Sequence, residues 1–455
     1  MRRILGALDK LRKVRVNPKQ VNSLMKPAPA KQSLKKFKQE LRRSESKPAA
    51  TKRLENDVVW QNLRHVSHIA EGEDSRQSPA SGQSEIKFET SLVDVLEVQR
   101  FVSDVFAAMH VPFEAANEMA DALIAADYMG QPSLGIHRLP AIADDLHSLR
   151  IDPRMQPKLI CEREALALVD GQNAPGPVVA NFCMDLAMKK ARSQTIGLVA
   201  ARHSNHIGMP SWYACQALSQ RMLGICMSNG PPILVPSGGT EPLLGANSMA
   251  FAAANARQQL IMSVDASAYP VEQLQLDYCN GHLQELPPHV ALDSCGRPTT
   301  NVADALQAQR LLPFAPDYKA SGLAAMIETL CGVMTGARYA AQLGGRGLFC
   351  ADQETANLGQ VYIAIDPQRF CASFEERLGD FQQLLRNVLP SDPNQPPLIP
   401  GDLESRHMQM VDDQGGLLLS PSTLYVLQEL SERFSVSPLV IPKGNDMPVK
   451  CEMKN

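Results

Sequence analysis

With 455 residues, 44% hydrophobic and 20% charged, the chain is long and apolar enough for a large buried core in two or three structural units. No apolar run approaches bilayer length, so no membrane-spanning helix is expected. The ten cysteines are scattered singly, without a C-x-x-C pair or a Cys/His cluster at zinc spacing. That pattern argues for free buried thiols in a reducing compartment, against a disulfide framework or a structural metal. The net charge of −3 hides an asymmetry. Residues 1–55 hold 17 Lys/Arg against 4 Asp/Glu, leaving 28 against 44 in the rest. A basic arm is therefore joined to an acidic body.

The arm begins with Ile4, Leu8 and Leu11 at helical spacing among Arg2, Arg3, Lys10, Arg12, Lys13 and Arg15. This is the pattern of a mitochondrial transit peptide, with a cytoplasmic protein bearing a basic tail as the alternative. A nucleic-acid role finds little support, because Phe37 is the one aromatic residue of the arm. From Pro27 to Ser84 the chain is rich in Lys, Ser, Pro, Gln and Glu and reads as linker, so 1–85 is expected to be mostly disordered. Helical spacing of Val95, Val98, Phe101, Val102, Val105 and Phe106, then of Met119, Leu123 and Ile124, predicts at least two helices in an N-terminal part, 86–160. Ala165–Val169, Ile196–Ala200 and Leu223–Met227 read as strands, alternating with helices over Val178–Ser193 and Trp212–Ser219. That alternation predicts an α/β domain over 161–345, with a further helix at Ser321–Thr335. In a C-terminal segment, 346–440, Val361–Ile365 reads as a strand and Ser422–Arg433 as a helix. This segment is expected to pack back on the N-terminal part. Neither a phosphate-binding G-x-x-x-x-G-K-[ST] nor a G-x-G-x-x-G after a strand is present, which excludes the ordinary dinucleotide fingerprint.

Four segments can carry chemistry. Ser204-Asn205-His206-Ile207-Gly208 puts a histidine at a strand-to-helix turn, where a near-neutral imidazole suits proton transfer. A turn histidine with a purely structural hydrogen bond is the plainer reading. Asn229 to Thr240 and Leu244 to Asn247 are dense in Gly and Pro, fixing loops that let backbone approach a ligand, or simply making turns. Tyr318-Lys319-Ala320-Ser321-Gly322 opens a helix with a lysine beside free backbone N–H groups, a phosphate site or a solvated surface lysine. Gly135-Ile136-His137-Arg138 offers a guanidinium fork for a carboxylate, or an exposed structural arginine.

In this order, these segments resemble the NAD(P)-dependent malate/L-lactate/ureidoglycolate dehydrogenases. Arg138-Leu139-Pro140, Arg150-Ile151-Asp152-Pro153, Ala291-Leu292-Asp293, Gly296 to Thr300 and Pro400-Gly401-Asp402 extend the likeness over about residues 90–435. The resemblance implies an α/β fold of the L-sulfolactate dehydrogenase-like, non-Rossmann kind, with N-terminal helices. It implies a homodimer, NAD or NADP as cofactor, no metal, and a small 2-hydroxy or 2-oxo acid as substrate. His206 matches the proton-transferring histidine and Arg138 the arginine that holds the substrate carboxylate. Ser204, Gly238, Gly239, Asp265, Lys319, Gly322, Gly401 and Asp402 match positions near the cofactor.

The chain also departs from the family pattern. Where members read Ser-His-Gly it has Ser133-Leu134-Gly135, and leucine transfers no proton. His137, three residues on, is a possible substitute. Gly-Thr-Asn-Pro becomes Gly245-Ala246-Asn247-Ser248, and Asp-x-Ala-Thr-Ser becomes Asp265-Ala266-Ser267-Ala268-Tyr269, placing the bulk of Tyr269 where small residues usually meet the cofactor. Pro316-Asp317-Tyr318-Lys319-Ala320 replaces a glycine-rich stretch and adds a charge that repels phosphate. Two functions follow: a hydride-transferring dehydrogenase, or a paralogue that keeps the fold as a structural or binding protein.

Overall fold

The computed structural model describes residues 90–343 and 355–442. They belong to the unit Glu73–Asn455; the other unit, Arg2–Gly72, and with it the expected targeting segment, lies outside them. Among the described residues the strands are β1 (Ser91–Val93), β2 (Lys158–Glu162), β3 (Leu166–Asp170), β4 (Ile196–Ser204), β5 (Leu223–Ser228), β6 (Ser248–Ala254), β7 (Gln259–Val264), β8 (Ala291–Leu292), β9 (Pro298–Thr299), β10 (Arg310–Leu311), β11 (Leu358–Ile365) and β12 (Leu417–Leu419).

Seven of them form one mixed sheet in the order β2-β3-β4-β11-β5-β6-β7. Only β3 and β4 run parallel, joined through the helix Gly176–Gln194 as the alternating pattern predicts. Every other pairing is antiparallel. β11 returns from late in the chain and inserts between β4 and β5, antiparallel to both. Its almost unbroken burial is what a central strand covered on both faces requires. Side chains alternate across the sheet: Ala200, Met227 and Val361 pack with Ile327 and Cys331, the last two on and just after the helix Asp317–Glu328. Tyr362, one residue along, points the other way and meets Tyr213 edge-on at 6.4 Å.

A helical layer gathers the two ends of the described chain. Helices Val95–Ala108, Phe113–Tyr128, Leu139–His147 and Pro421–Phe434 bury Phe101, Phe106, Ile124, Leu139, Leu424 and Leu427 in one core. Their starts follow from local chemistry. Asp94 accepts from the backbone N–H of Leu96 (2.8 Å) and Glu97 (3.3 Å). Ser420 accepts from the Thr423 N–H, and Pro421 fills the first helical position. β1 and β12 then close the layer, Ser91 opposite Leu419 and Val93 opposite Leu417. No helix among the described residues is long and apolar enough to cross a membrane.

Candidate active site

β4 ends in the turn that carries His206, and the turn is held on all sides. Asn205 donates its side-chain N–H to Asn173 Oδ1 (3.1 Å) and the Ala174 carbonyl (2.9 Å). Its own carbonyl accepts from Gln360 Nε2 on β11 (2.8 Å). The Tyr213 hydroxyl donates to the Ile207 carbonyl at 2.6 Å. Gly176 is needed here: a Cβ on it would stand 2.1 Å from the His206 carbonyl oxygen. With the backbone so fixed, the Gly208 N–H donates to His206 Nδ1 at 3.2 Å, which places the proton of the neutral ring on Nε2.

His206 lines a cleft of about 490 Å³, counting the part open to solvent, at the common end of β4, β5 and β6. Ser228, Asn229, Gly230, Asn247 and Glu272 line it as well. The imidazole is exposed to the cleft but surrounded by protein on its other sides. That surrounding, followed by the positive charge of Arg138, lowers its pKa to about 4. Two walls of the cleft hang on one buried carboxylate, Glu328. It accepts from Asn229 Nδ2 (3.1 Å), Asn247 Nδ2 (2.6 Å) and the Ala340 N–H (3.0 Å). Asn247 Oδ1 in turn accepts from the Gly230 N–H (3.1 Å).

Arg138 ends a 3-10 turn, Ile136–Arg138, and lies within electrostatic reach of His206, Glu272 and Asp145. Burial lowers its pKa, with Glu272 and Asp145 opposing the shift. The turn is pinned from beneath by Asp127, whose Oδ2 accepts the Ile136 N–H at 2.6 Å. The fit is so close that a Cβ on Gly135 would stand 1.9 Å from the same oxygen. Asp127 is buried, and burial raises its carboxyl pKa to about 7, partly offset by the Ile136 N–H.

The cofactor positions expected from the sequence fall in three places. Asp265 follows β7 and accepts from the Ser267 N–H (2.8 Å) and hydroxyl (2.5 Å), within electrostatic reach of Glu272. Gly238 and Gly239 lie in an exposed turn tied to the helix Asp317–Glu328: the Ser237 N–H donates to Ser321 Oγ (2.9 Å) and the Ser237 hydroxyl to Asp317 (2.7 Å). Exposed Lys319 and Gly322 belong to that helix, so these four share one surface. Gly401 and Asp402 are elsewhere. The Pro400 carbonyl accepts from the Ile261 N–H, well down β7 from Asp265, and Asp402 receives both Arg386 Nη1 (2.9 Å) and Nη2 (2.7 Å). Ser204 is fully buried with its hydroxyl turned to the Asn205 carbonyl, so its side chain supports the turn and does not reach the cleft.

For Asp402 the geometry favours a structural role. Asp402→Asn should lower stability by about 1–3 kcal/mol and leave the NAD(P)H dissociation constant unchanged. A loss of cofactor affinity without a loss of stability, read by fluorescence titration and urea unfolding, would return Asp402 to the cofactor site.

The Tyr269 hydroxyl donates to Asp277 Oδ2 at 2.6 Å, and its ring does not line the cleft. Leu134 is half-buried and does not line it either. His137 turns toward Thr423 on the last described helix (3.4 Å) and does not line the cleft, and burial lowers its pKa to about 4. Sequence reasoning missed Glu272, Glu328 and Asp127. The last two break apolar stripes, Glu328 beside Ala324 and Ile327, and Asp127 beside Leu123 and Ile124; such charges on a buried face are a signal that could have been used. Glu272 gives no such signal, since an acid in a helix's first turn is ordinary.

Comparison with known proteins agrees with this architecture. A malate/L-lactate dehydrogenase family profile matches residues 93–428. The chain is 32% identical over 313 residues to the L-sulfolactate dehydrogenase of Methanothermobacter thermautotrophicus, covering 69% of this chain and 89% of that one. It is 31% identical to the malate dehydrogenase of Pyrococcus abyssi over 64% of this chain and 80% of the relative. Among solved structures, the sulfolactate dehydrogenase of Methanocaldococcus jannaschii superposes with a TM-score of 0.68 at 29% identity, over 76% of this chain and 98% of that one. The chain therefore belongs to the malate/L-lactate dehydrogenase family, whose members use a nicotinamide cofactor on small 2-hydroxy acids.

Proposed function

We propose that the cleft is where a small 2-oxo acid is reduced or its 2-hydroxy counterpart oxidised, with His206 on the C2 oxygen and Arg138 on the carboxylate. One observation carries this reading: His206 lines the cleft, and Arg138, from a separate part of the chain, lies within electrostatic reach of it. The residues around it fit a nicotinamide dinucleotide. Cβ positions built on Gly208 and Gly230, both at the cleft, meet nothing within 4 Å, nor do those on Gly238 and Gly322 on the neighbouring surface. Gly208 and Gly230 would let a flat ring approach the backbone. Gly238, Gly239, Gly322 and Lys319 would receive the phosphates, with Asp265 at the near end of β7. The bound nicotinamide supplies or accepts the hydride.

The chain's own residues do the rest. Arg138 offers paired N–H groups to the substrate carboxylate and so orients C2. His206, which lines the cleft, is neutral near pH 7 and holds its proton at Nε2, free to act as a hydrogen-bond donor. As negative charge grows on the C2 oxygen during reduction, that donor stabilises it without first having to be protonated, and the alkoxide takes the proton that completes the hydroxyl from solvent at the open side of the cleft. The alternative, a paralogue that lost the reaction, draws no support from the family match. The homodimer implied by kinship is part of the same proposal, and light scattering would read it as twice the chain mass.

Titration of the purified protein with NADH and NADPH, followed by fluorescence, is expected to saturate for at least one and to identify the preferred one. A screen of 2-oxo acids then reads NAD(P)H consumption. Absence of binding up to about 1 mM of either cofactor would overturn the proposal.

A further inference from the structure

The residues around His206, 205–209, belong neither to β4 nor to the helix Pro210–Gln216. Two tyrosine hydroxyls fix the peptides on either side of the ring. Tyr213 donates to the Ile207 carbonyl at 2.6 Å. A peptide group is planar, so holding that carbonyl also holds the N–H at its other end, that of Gly208. This is the N–H that donates to His206 Nδ1 at 3.2 Å. On the other side, the Tyr362 hydroxyl donates to Gln360 Oε1 (3.0 Å), which leaves Gln360 Nε2 to donate to the Asn205 carbonyl (2.8 Å). Tyr362 and Gln360 stand two residues apart on β11 and so share one face of the sheet. The two tyrosine rings meet edge-on, and both rings and Gln360 are fully buried. Burial pushes the pKa of both hydroxyls well above the ordinary phenol value, so each keeps its proton to donate.

We propose that Tyr213 and Tyr362 are positioning residues for the reaction: Tyr213 holds the proton of His206 on Nε2 by way of the peptide between Ile207 and Gly208, and Tyr362 holds the preceding peptide by way of Gln360. This rests on the dehydrogenase reading above. Neither tyrosine lines the cleft. What they supply is the choice of ring nitrogen and the direction of the ring. With the Gly208 N–H directed at it, Nδ1 must accept, so the proton of the neutral ring sits on Nε2. Were that peptide free to turn, Nδ1 could carry the proton instead. Nε2 would then present a lone pair to the growing charge on the C2 oxygen and repel it. A donor fixed beforehand costs no reorganisation as that charge develops.

Tyr213→Phe and Tyr362→Phe each remove one oxygen and keep the ring. Magnetic resonance of 15N-labelled histidine rings reads the tautomer without substrate, with His206→Gln identifying the signal. The wild type and Tyr362→Phe are expected to show Nε2–H alone, and Tyr213→Phe a mixture of the two tautomers. In reduction of a 2-oxo acid, kcat is expected to fall about tenfold in Tyr213→Phe and about threefold in Tyr362→Phe, with KM changed by less than about twofold. A purely structural role would lower the urea midpoint and leave the tautomer and kcat unmoved. Nδ1–H in the wild type, or Nε2–H alone in Tyr213→Phe, overturns the role of Tyr213 while leaving the dehydrogenase reading intact. An unchanged kcat in Tyr362→Phe overturns that of Tyr362. If the wild type turns over no 2-oxo acid, the dehydrogenase reading fails, and the tautomers alone decide what Tyr213 holds. Should Tyr213→Phe not fold, the wild-type tautomer and the kcat of Tyr362→Phe decide. Nε2–H together with a lower kcat supports the inference, and Nδ1–H or an unchanged kcat overturns it.

Discussion

His206→Ala is expected to lower kcat for 2-oxo acid reduction by about 10²–10³-fold with a small effect on substrate KM, because the lost interaction strengthens as charge develops on the C2 oxygen. His206→Gln should recover much of that loss. A glutamine N–H can still donate, whereas it cannot exchange a proton as an imidazolium does. The pH profile gives a second readout. With its pKa lowered to about 4 by the protein around the rest of the ring and by Arg138, His206 is already neutral through the whole ordinary working range. The kcat/KM profile for reduction should therefore be flat where a solvated histidine would titrate, and should change only as pH falls toward 4. An inflection near 6.5 that disappears in His206→Ala, with no rescue by Gln, would mean that the ring works as a titrating acid and base, not as a fixed donor.

Asp127→Asn is expected to stabilise the protein at pH 8 by up to about 4 kcal/mol, since burial raises the Asp127 pKa from its ordinary value to about 7 and each unit is worth about 1.4 kcal/mol. The sign follows from proton counting. Between about 4 and 7 the folded state holds the Asp127 proton more firmly than the unfolded chain. The stability this contributes is complete below the unfolded pKa and is lost as pH rises through the folded one. Glu118, raised to about 6 by burial, acts in the same direction. His137, lowered to about 4 by burial, acts oppositely, costing stability as pH falls from about 6.5 toward 4. Urea unfolding of both proteins across pH isolates the Asp127 part. The two curves should meet near pH 4 and separate above it, and parallel curves would show that the carboxyl is ionised and solvated. The amide oxygen still accepts the Ile136 N–H, so kcat/KM should hold in Asp127→Asn. Asp127→Ala strands that buried N–H at about 1–3 kcal/mol, frees the turn bearing Arg138, and should raise substrate KM.

Leu134 is a lesson in how far a motif carries. In the sequence it replaces an expected histidine and raises the prospect of a lost reaction. In the fold it does not line the cleft, and the groups that do are His206 and Glu272, with Arg138 in electrostatic reach. Tyr269 teaches the same: its bulk was legible, but not its direction, which a hydrogen bond to Asp277 decides. Gly401 and Asp402 matched a family motif, yet in this chain they make a corner beside Ile261 closed by Arg386.

Periodicity and turn residues were enough to place three of the four helices of the N-terminal layer, the alternating β3–helix–β4 unit and the turn carrying His206, but not the helix Leu139–His147. These features depend on neighbours a few residues away, which the linear chain displays. Ordered motifs likewise made the family membership readable. Folding alone inserted β11 into the middle of the sheet, brought Glu328 to Asn229 and Asn247 across 99 and 81 residues, and set Glu272 beside the cleft. Such pairings are chosen by which buried polar groups can find partners and which surfaces can close-pack once the chain has collapsed, and neither quantity is local to any stretch of sequence.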